Sequence, residues 1–554
     1  MQRKFAVIGG VVLLAVAGAA AAAALPGGTV VDVYPTKGMV KPGEATTLEV
    51  KVERPWYEVR PVTVTITAGL SSEPVATLKT KGDTVTWMPE KAGGYGVTAQ
   101  IGRSKAETAI DVGDKWTEKP RYGFLSDFHP LDAGKEDRFA TMAKFHINGL
   151  QFYDWMYRHS DYMPPTTEFQ DPLNRTLSLD TIKEKLDLSH KYGMATMAYT
   201  AVYGAPKSYL DKHPEQGLYN LQGKPISFGN GFLYIMNPEK DGPWAKQMLS
   251  EYSKIVQQLP FDGIHLDQYG DPKFGFRYPG GEGATGVQIA PAIVSLIDET
   301  KKAVGPAKSV IFNDVNAWPL ADTAPTTNDA VYVEVWPPNV NFQNLSEIIG
   351  KGRQLSGGKP VVLAAYLNPE WEPSVLLTDA TIFASGGYHI EMGEGNALLA
   401  DPYFPKYKRM SPALEGHLRR YYDVTVRYQD LLYGKDLKDW APEVTMGDTR
   451  VLKMALYNGV WATGRENDKY QVLSLVNFSG LDHARWNAER KNAPTVLEKQ
   501  QVEVAMEKAP KAVYLINPDG ADQAPVPVKF TYAGGKVSLT LDRLDYWSML
   551  VFEK

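Results

Sequence analysis

The sequence predicts a multidomain protein, α/β plus all-β, in which a central (β/α)8 TIM barrel lies between two β-sandwiches. Three observations support this fold class. The chain has 554 residues, which is too long for one ordinary domain. In residues 115–432, short apolar runs alternate with helical stretches, the pattern of parallel βα units. Residues 28–114 and 433–554 instead carry strand signals separated by turns rich in Gly and Pro.

The N-terminus indicates an export signal. Arg3 and Lys4 form a charged start, Phe5–Val16 an apolar run, and the Ala-rich stretch to Ala24 supplies small residues for cleavage. The apolar stretch is nearly long enough to span a membrane, so an uncleaved anchor is the alternative. We expect residues 1–24 to be a cleaved signal peptide and the protein to be secreted or periplasmic, with no membrane attachment after cleavage.

Residues 28–114 predict an immunoglobulin-like β-sandwich. Thr46–Glu53 and Pro61–Thr67 alternate with period two, as half-buried strands do. Thr84–Pro89 and Gly93–Val97 add two candidate strands. We expect this domain to pack against the barrel, with sugar binding as the alternative role.

Residues 115–432 predict the barrel. Trp244, Met248 and Tyr252 recur at helical spacing in one of the stretches between strands. The long connection from Gly204 to Asn237 is expected to be an active-site loop. Eight candidate strands can be counted: Tyr122–Asp127, Gly149–Asp154, Ala195–Tyr203, Gly263–Tyr269, Ser309–Val315, Ala330–Trp336, Val361–Asn368 and Gly387–Met392.

Residues 433–554 predict the second β-sandwich. Gln471–Phe478, Lys511–Ile516 and Tyr546–Phe552 are its clearest strands, and a hairpin signal lies at Ala533–Lys536.

Composition excludes some classes of function. The net charge is -5 and no long basic run occurs, which argues against nucleic acid as a partner. The 30 Tyr and 12 Trp suit the apolar faces of sugar rings, although aromatic residues also fill cores. The 9 His include no pair at a ligand spacing, so we expect no metal and no cofactor, and a metal-dependent hydrolase is disfavoured.

Two acids at predicted strand ends are the main catalytic candidates. Asp267 ends the fourth strand and Glu334 the sixth, and side chains at the carboxyl ends of barrel strands converge on one pocket. Such a carboxylate pair is the equipment of a glycosidase, but strand spacing does not decide between retaining and inverting chemistry. The alternative is that either acid pairs with Arg or Lys and anchors a loop.

Further residues of the predicted pocket follow from the same strand ends. Asp154 would bind hydroxyl groups of a sugar that lies between the two acids, or would anchor a loop by pairing with Arg158. Trp155 and Trp336 are either stacking platforms or core residues of the barrel rim. The substrate-binding candidates are Tyr153, Trp155, His265, Gln268, Tyr269, Asn313, Trp336, Tyr366 and Glu391.

The residues next to the two acids predict different ionisation. Val333 and Val335 surround Glu334 with apolar groups, which raise a carboxyl pKa as a proton donor requires. Gln268 and Tyr269 could hold Asp267 ionised through hydrogen bonds.

Three motifs resemble those of glycoside hydrolase family 66: Gln151–Trp155 with Arg158 and His159, Phe261–Asp271, and Val331–Trp336. This family contains endo-dextranases and cyclodextran-forming glucanotransferases, and its barrel also lies between two β-sandwiches. The resemblance implies that Asp267 is the nucleophile, Glu334 the acid/base and Asp154 a further acid at the reacting sugar. It also implies dextran or a related α-glucan as substrate.

The resemblance leaves hydrolysis and transfer to be separated. The cyclising transferases carry an extra carbohydrate-binding module near strands seven and eight, whereas here Asn368 and Gly387 leave room for one helix. We therefore expect a retaining endo-dextranase, a monomer, that releases isomalto-oligosaccharides from α-1,6-linked glucan. The alternatives are a cyclodextran-forming glucanotransferase and a non-catalytic carbohydrate-binding barrel.

Overall fold

A computed structural model describes residues 28–554. The expected signal peptide, residues 1–24, lies outside the described residues. The centre of the fold is one sheet of eight parallel strands in sequence order. Barrel strands one to eight are Tyr122–Leu125, Gly149–Phe152, Ala195–Ala201, Gly263–Asp267, Ser309–Val315, Ala330–Glu334, Val361–Ala364 and Tyr388–His389.

The eight-stranded sheet closes nearly into a barrel. Phe124 in strand one donates its N–H to the carbonyl of Met392, just past strand eight, at 2.9 Å. The parallel register places Ala201 beside Asp267 and Val315 beside Glu334. All eight predicted strands are present, but the ladder of most of them ends two to four residues before the predicted end. The chain leaves the ladder there because these residues begin the loops over the barrel mouth.

Helices cover the outside of the barrel. In the helix Pro243–Gln258, Trp244, Met248 and Tyr252 are buried, as their spacing predicts. The helix Glu372–Ala384 is buried on nearly all sides. The remaining long helices are Glu136–Lys144, Leu179–Lys191, Ile289–Val304, Phe342–Leu355 and Pro412–Arg427, and the short ones are Lys207–Leu210, Leu320–Thr323 and Gln429–Tyr433.

Two antiparallel sheets precede the barrel. One has three strands and the other four, and Val33, Leu48, Val64 and Val97 from both sheets share one hydrophobic cluster. The strands are Thr29–Pro35, Thr46–Glu53, Val62–Ala68, Pro74–Thr80, Thr84–Trp87, Gly93–Ile101 and Ser104–Val112. The immunoglobulin-like arrangement of these sheets stays a prediction.

Two further sheets follow the barrel, one of seven strands and one of four, with a shared hydrophobic cluster. Their strands are Lys438–Trp440, Val444–Met446, Val451–Leu452, Val460–Glu466, Tyr470–Asn477, Leu497–Ala505, Ala512–Ile516, Val526–Pro527, Phe530–Ala533, Lys536–Leu544 and Trp547–Glu553. A β-sandwich here also stays a prediction. In residues 28–554, no helix is both long and apolar enough to cross a membrane.

Small sheets stiffen the loops at the carboxyl end of the barrel. The connection after strand three contains a three-stranded sheet of Gly204–Ala205, Ser227–Phe228 and Leu233–Ile235. Two-stranded sheets follow strands two, four and eight: Glu168–Gln170 with Thr176–Ser178, Phe274–Phe276 with Gly286–Gln288, and Ala397–Leu398 with Lys408–Arg409. These loops are therefore ordered walls around the barrel mouth.

Candidate active site

The loops at the carboxyl end of the barrel enclose a cavity of about 530 Å³. Seven of the twelve predicted site residues line it: Tyr153, Asp154, Asp267, Gln268, Tyr269, Glu334 and Trp336. All three predicted catalytic acids are among them, so the expected convergence of strand ends on one pocket is what the structure shows.

One amide group connects the two principal acids. Asn313 Nδ2 donates a hydrogen bond to Asp267 Oδ1 at 2.7 Å and another to Glu334 Oε2 at 3.0 Å. Asn313 lies on strand five, between the strands that end in Asp267 and Glu334. The two accepting oxygens therefore cannot be farther apart than these two hydrogen bonds laid end to end.

Each acid also accepts a hydrogen bond from a tyrosine. Tyr199 donates to Asp267 Oδ2 at 2.6 Å, and Tyr366 donates to Glu334 Oε1 at 2.7 Å. Within the described residues, neither acid forms an ion pair with Arg or Lys, so the loop-anchor alternative for this pair does not hold. Four hydrogen bonds fix the two carboxyl groups in the cavity wall.

Burial controls the ionisation of the pair. Burial raises the pKa of Asp267 to about 7, and the nearby Glu334 charge acts in the same direction. Burial likewise raises the pKa of Glu334, while its hydrogen bonds from Tyr366 and Asn313 oppose the shift. Two facing carboxyls cannot both ionise easily, so the pair favours holding one proton near neutral pH.

The expected partners of Asp267 need correction. Tyr199 and Asn313 donate the side-chain hydrogen bonds that stabilise its charge, Gln268 contributes through its backbone, and Tyr269 does not contribute. The Gln268 amide is used elsewhere, since it accepts from Tyr203 Oη and Gly270 N–H and donates to the Trp318 carbonyl. Burial outweighs the hydrogen bonds, and the net pKa shift is upward.

Asp154 faces the same cavity from the end of strand two. Its backbone adopts a φ of 52°, in the left-handed region that is uncommon for residues other than Gly. Arg175 Nη2 lies 3.5 Å from Asp154 Oδ2, and the same guanidinium pairs with Asp171 at 2.6 Å. Burial raises the pKa of Asp154 to about 7 against the opposing charge of Arg175. The loop-anchor alternative named Arg158 as the partner of Asp154, but Arg158 donates to the carbonyls of Tyr157 and Gln170.

Aromatic side chains form the cavity walls. Trp336 is 38% exposed and meets Tyr366 edge to face, and Tyr269 stacks on Phe228 with ring centroids 4.3 Å apart. Phe228 and Phe232 come from the long connection after strand three, which confirms that this loop borders the site. Exposed aromatic faces beside paired acids suit sugar rings.

Sequence reasoning missed several lining residues. These are His159, Pro172, Leu173, Phe228, Phe232, Leu233, Val315, Pro402 and Tyr403. Most lie in loops, where no periodicity marks which side chain faces inward. Tyr199 was visible as a polar residue of strand three, but nothing local showed its bond to Asp267. His159 is nearly buried, and burial lowers its pKa to about 4, so its ring is neutral at neutral pH.

Trp155 and His265 lie outside the cavity lining. Trp155 has no exposed surface, packs against Phe261 and donates its Nε1–H to the Tyr199 carbonyl at 3.2 Å. It is a core residue, so we do not retain it as a sugar platform. His265 is buried below the cavity and contacts the Tyr122 hydroxyl through Nδ1 at 3.1 Å. Burial lowers the His265 pKa to about 3.

Asn313 and Tyr366 act on the acids from behind the cavity surface, and Glu391 lies apart from it. Glu391 is buried outside the barrel sheet, where it accepts a hydrogen bond from Tyr422 at 2.9 Å. We therefore do not retain Glu391 as a substrate-binding residue. With Asp379 and His389 it forms a group whose ligand-type atoms lie within 4.8 Å of one another, the one group in the described residues with such metal-ligand chemistry.

The carboxyl end of a barrel, a bridged pair of half-buried acids and aromatic walls together define a site for processing glycosides. The model of glycosyl hydrolase family 66 matches residues 36–551. The chain belongs to this family.

Similar proteins share most of the chain. A cycloisomaltooligosaccharide glucanotransferase of Niallia circulans is 23% identical over 95% of this chain and 72% of the relative. A dextranase of Streptococcus salivarius is 23% identical over 89% of this chain and 71% of the relative. A Paenibacillus cycloisomaltooligosaccharide glucanotransferase, crystallised with cycloisomaltoheptaose, has a TM-score of 0.87 at 23% identity, covering 95% of this chain and 100% of that one. This structural likeness shows the fold.

Proposed function

We propose that the chain is a retaining endo-glycosidase that hydrolyses α-1,6-glucosidic linkages of dextran to isomalto-oligosaccharides. The observation that carries this proposal is the bridge from Asn313 to both Asp267 and Glu334 inside a sugar-sized cavity. Membership of family 66, and relatives named as a dextranase and as a cycloisomaltooligosaccharide glucanotransferase, support the substrate class.

The proposed reaction is a double displacement. Asp267 attacks the anomeric carbon while Glu334 gives its proton to the departing glycosidic oxygen. The attack leaves a covalent glucosyl ester on Asp267. Glu334, now ionised, takes a proton from water, whose oxygen attacks the anomeric carbon and releases Asp267. Retaining enzymes place their acids about 5–5.5 Å apart and inverting enzymes roughly 6.5–9.5 Å. Bonds of 2.7 and 3.0 Å to one nitrogen support the shorter class.

The surroundings of the two acids suit these roles. Each acid accepts a hydrogen bond from Asn313 and one from a tyrosine, which lets the pair carry one negative charge, and the mechanism requires that charge on Asp267 and the proton on Glu334. Asp154 would bind hydroxyl groups of the reacting glucose, where contacts strengthen as the ring flattens. Trp336 and Phe228 would stack against glucose units on the cavity walls.

A second candidate is a cyclodextran-forming glucanotransferase, because two relatives carry that name. In the described chain, one helix, Glu372–Ala384, lies between strands seven and eight. The absence of a further module there favours water over a second sugar as acceptor, although a covalent intermediate allows some transfer.

Purified protein and dextran test the proposal. We expect viscosity to fall faster than reducing ends accumulate and the α-anomer to appear first by proton NMR. A β-anomer as the first product would overturn retention, and cyclic products in the majority would favour the transferase. Binding without turnover on a panel of α- and β-glucans would indicate a non-catalytic barrel. Asp267→Asn is the inactive control.

We further propose that residues 1–24 direct export to the periplasm or the medium and that the mature protein is a monomer. Residues 28–114 and 433–554 would be β-sandwich domains on either side of the barrel, residues 115–432. N-terminal sequencing of exported protein after expression of the full chain tests the cleavage, and light scattering tests the monomer.

A further inference from the structure

We infer that His389 is a positioning residue for the proposed reaction: it holds the peptide that carries Tyr366, and Tyr366 in turn holds Glu334. The inference rests on the proposed acid/base role of Glu334. It concerns a buried group of three side chains, Asp379, His389 and Glu391, which lies outside the cavity.

The hydrogen-bonded ladder of strand seven ends at Ala364, two residues before Tyr366. Glu334 pairs with Ala364, and Val335 donates its N–H to the Ala364 carbonyl at 3.0 Å. The next carbonyl, that of Ala365, lies beyond the strand, and His389 Nε2 contacts it at 2.9 Å. That carbonyl belongs to the peptide unit joining Ala365 to Tyr366. A side chain of strand eight therefore holds the peptide that the sheet no longer holds.

The partners of its two ring nitrogens fix the orientation of His389. A carbonyl can only accept, so Nε2 carries a hydrogen and Nδ1 faces the two acids. Nδ1 lies 2.8 Å from Asp379 Oδ1 and 3.4 Å from Glu391 Oε2. A carboxyl group on one ring nitrogen that fixes the hydrogen bond made by the other is a recurrent way to orient histidine.

Two acids, Asp379 and Glu391, are buried around this ring. The side chains of Asp379 and Glu391 hydrogen-bond each other, and both are at most 1% exposed. Burial raises the pKa of both carboxyls well above their usual ranges. A carboxyl that keeps its proton donates to the other, which lowers the buried charge.

Tyr366 connects the His389 group to the active site. The Tyr366 hydroxyl donates to Glu334 Oε1 at 2.7 Å, and this bond favours the ionised carboxylate and lowers its pKa. The other groups that face Glu334 are the titratable Asp267, Tyr332 and Tyr153, and the neutral side chains of Asn313 and Trp336. Among these groups, Tyr366 is the one whose own backbone includes the peptide that His389 holds, so loosening that peptide acts on Glu334 through Tyr366.

The test compares His389→Leu, Tyr366→Phe and their double variant on dextran. We expect each single variant to lower kcat about tenfold, the size of one hydrogen bond to a charged group, with KM nearly unchanged. The alkaline limb of kcat/KM should move to higher pH in both, because Glu334 keeps its proton longer. The double variant should be no worse than Tyr366→Phe, since both changes remove the same contact.

Two matched variants separate positioning from stability. His389→Gln places an amide N–H within reach of the Ala365 carbonyl and should restore much of kcat and the alkaline limb. Tyr422→Phe removes a hydrogen bond to Glu391 but leaves His389 on Ala365. It should lower the melting temperature without moving the alkaline limb.

The inference is overturned if folded His389→Leu keeps the wild-type kcat and alkaline limb, or if its effects add to those of Tyr366→Phe. Should His389→Leu fail to fold, Asp379→Asn replaces it, and an unshifted limb in that variant counts equally against the inference. Glu334→Gln in the same assay tests the underlying role. Wild-type activity in Glu334→Gln would refute the proposed function, whereas an inactive Glu334→Gln beside a normal His389→Leu refutes this inference alone.

Discussion

Asp267 and Glu334 end strands that are not neighbours, yet both accept a hydrogen bond from one nitrogen atom, Asn313 Nδ2. The strand between them supplies this donor. Both carboxyls are half-buried and desolvation raises the pKa of each, so the two acids titrate as a coupled pair that favours a single negative charge.

The first prediction separates the roles of the two acids. Asp267→Asn should abolish turnover on every substrate, because no covalent intermediate can form. Glu334→Gln should be severely impaired on dextran, whose leaving oxygen needs a proton, and much less impaired in the first step on an activated aryl glycoside. Burst kinetics on the aryl glycoside measure this difference. Equal losses on both substrates would contradict the acid role of Glu334.

The second prediction concerns the pH profile of Asn313→Ala. The wild-type amide favours the ionised forms of Asp267 and Glu334, so its removal raises both pKa values. Activity needs Asp267 ionised and Glu334 protonated. The acid limb and the alkaline limb of kcat/KM should therefore both move to higher pH.

A matched control for Asn313→Ala is Asn328→Ala. Asn328 is also buried, but it accepts a hydrogen bond from Lys359 just before strand six begins, away from the mouth. The Asn328→Ala variant should lower the melting temperature and leave both limbs of the kcat/KM profile in place. Limbs of Asn313→Ala that move apart, or that move to lower pH, would contradict the shared-donor explanation.

The third prediction concerns Asp154→Asn. If Asp154 binds the reacting sugar, the variant should lower kcat by at least ~10²-fold, about 2.7 kcal/mol of barrier, with little change in KM or melting temperature. Asp171→Asn is the control, because Asp171 pairs with the same Arg175 and holds two loop N–H groups. The main effect of Asp171→Asn should be a lower melting temperature. Lost stability with near-normal kcat in Asp154→Asn would make Asp154 a loop anchor instead.

The fourth prediction contrasts two tryptophans. Trp155→Ala should cost about 3–5 kcal/mol of unfolding free energy, because it empties a fully buried site. Trp336→Ala should leave the melting temperature almost unchanged and raise KM for dextran, since the ring is partly exposed on the cavity wall. Thermal unfolding and steady-state kinetics on both variants check the contrast. A Trp336 variant that loses stability but keeps its KM would place Trp336 in the rim core.

The strands and their terminal acids were predictable because the signal lies in consecutive residues. An apolar run ending in an acid and then a Gly or Pro turn marks Asp267 and Glu334 at strand ends. The same logic placed Asp154 and Asn313 at the barrel mouth. It overextended the strands and assigned Glu391 to the pocket, because local pattern does not state where a ladder ends or which side of the sheet a side chain takes.

The sequence by itself determined the order of parallel strands, the acids that end them and the long connection after strand three, since these follow from local hydrophobicity and spacing. Tertiary structure alone decided that Arg175, not Arg158, meets Asp154 and that His389 meets the carbonyl of Ala365. It also decided that Trp155 is buried while Trp336 is open. Each of these contacts joins residues from different elements, and its energy depends on burial and distance that exist only once those elements have packed.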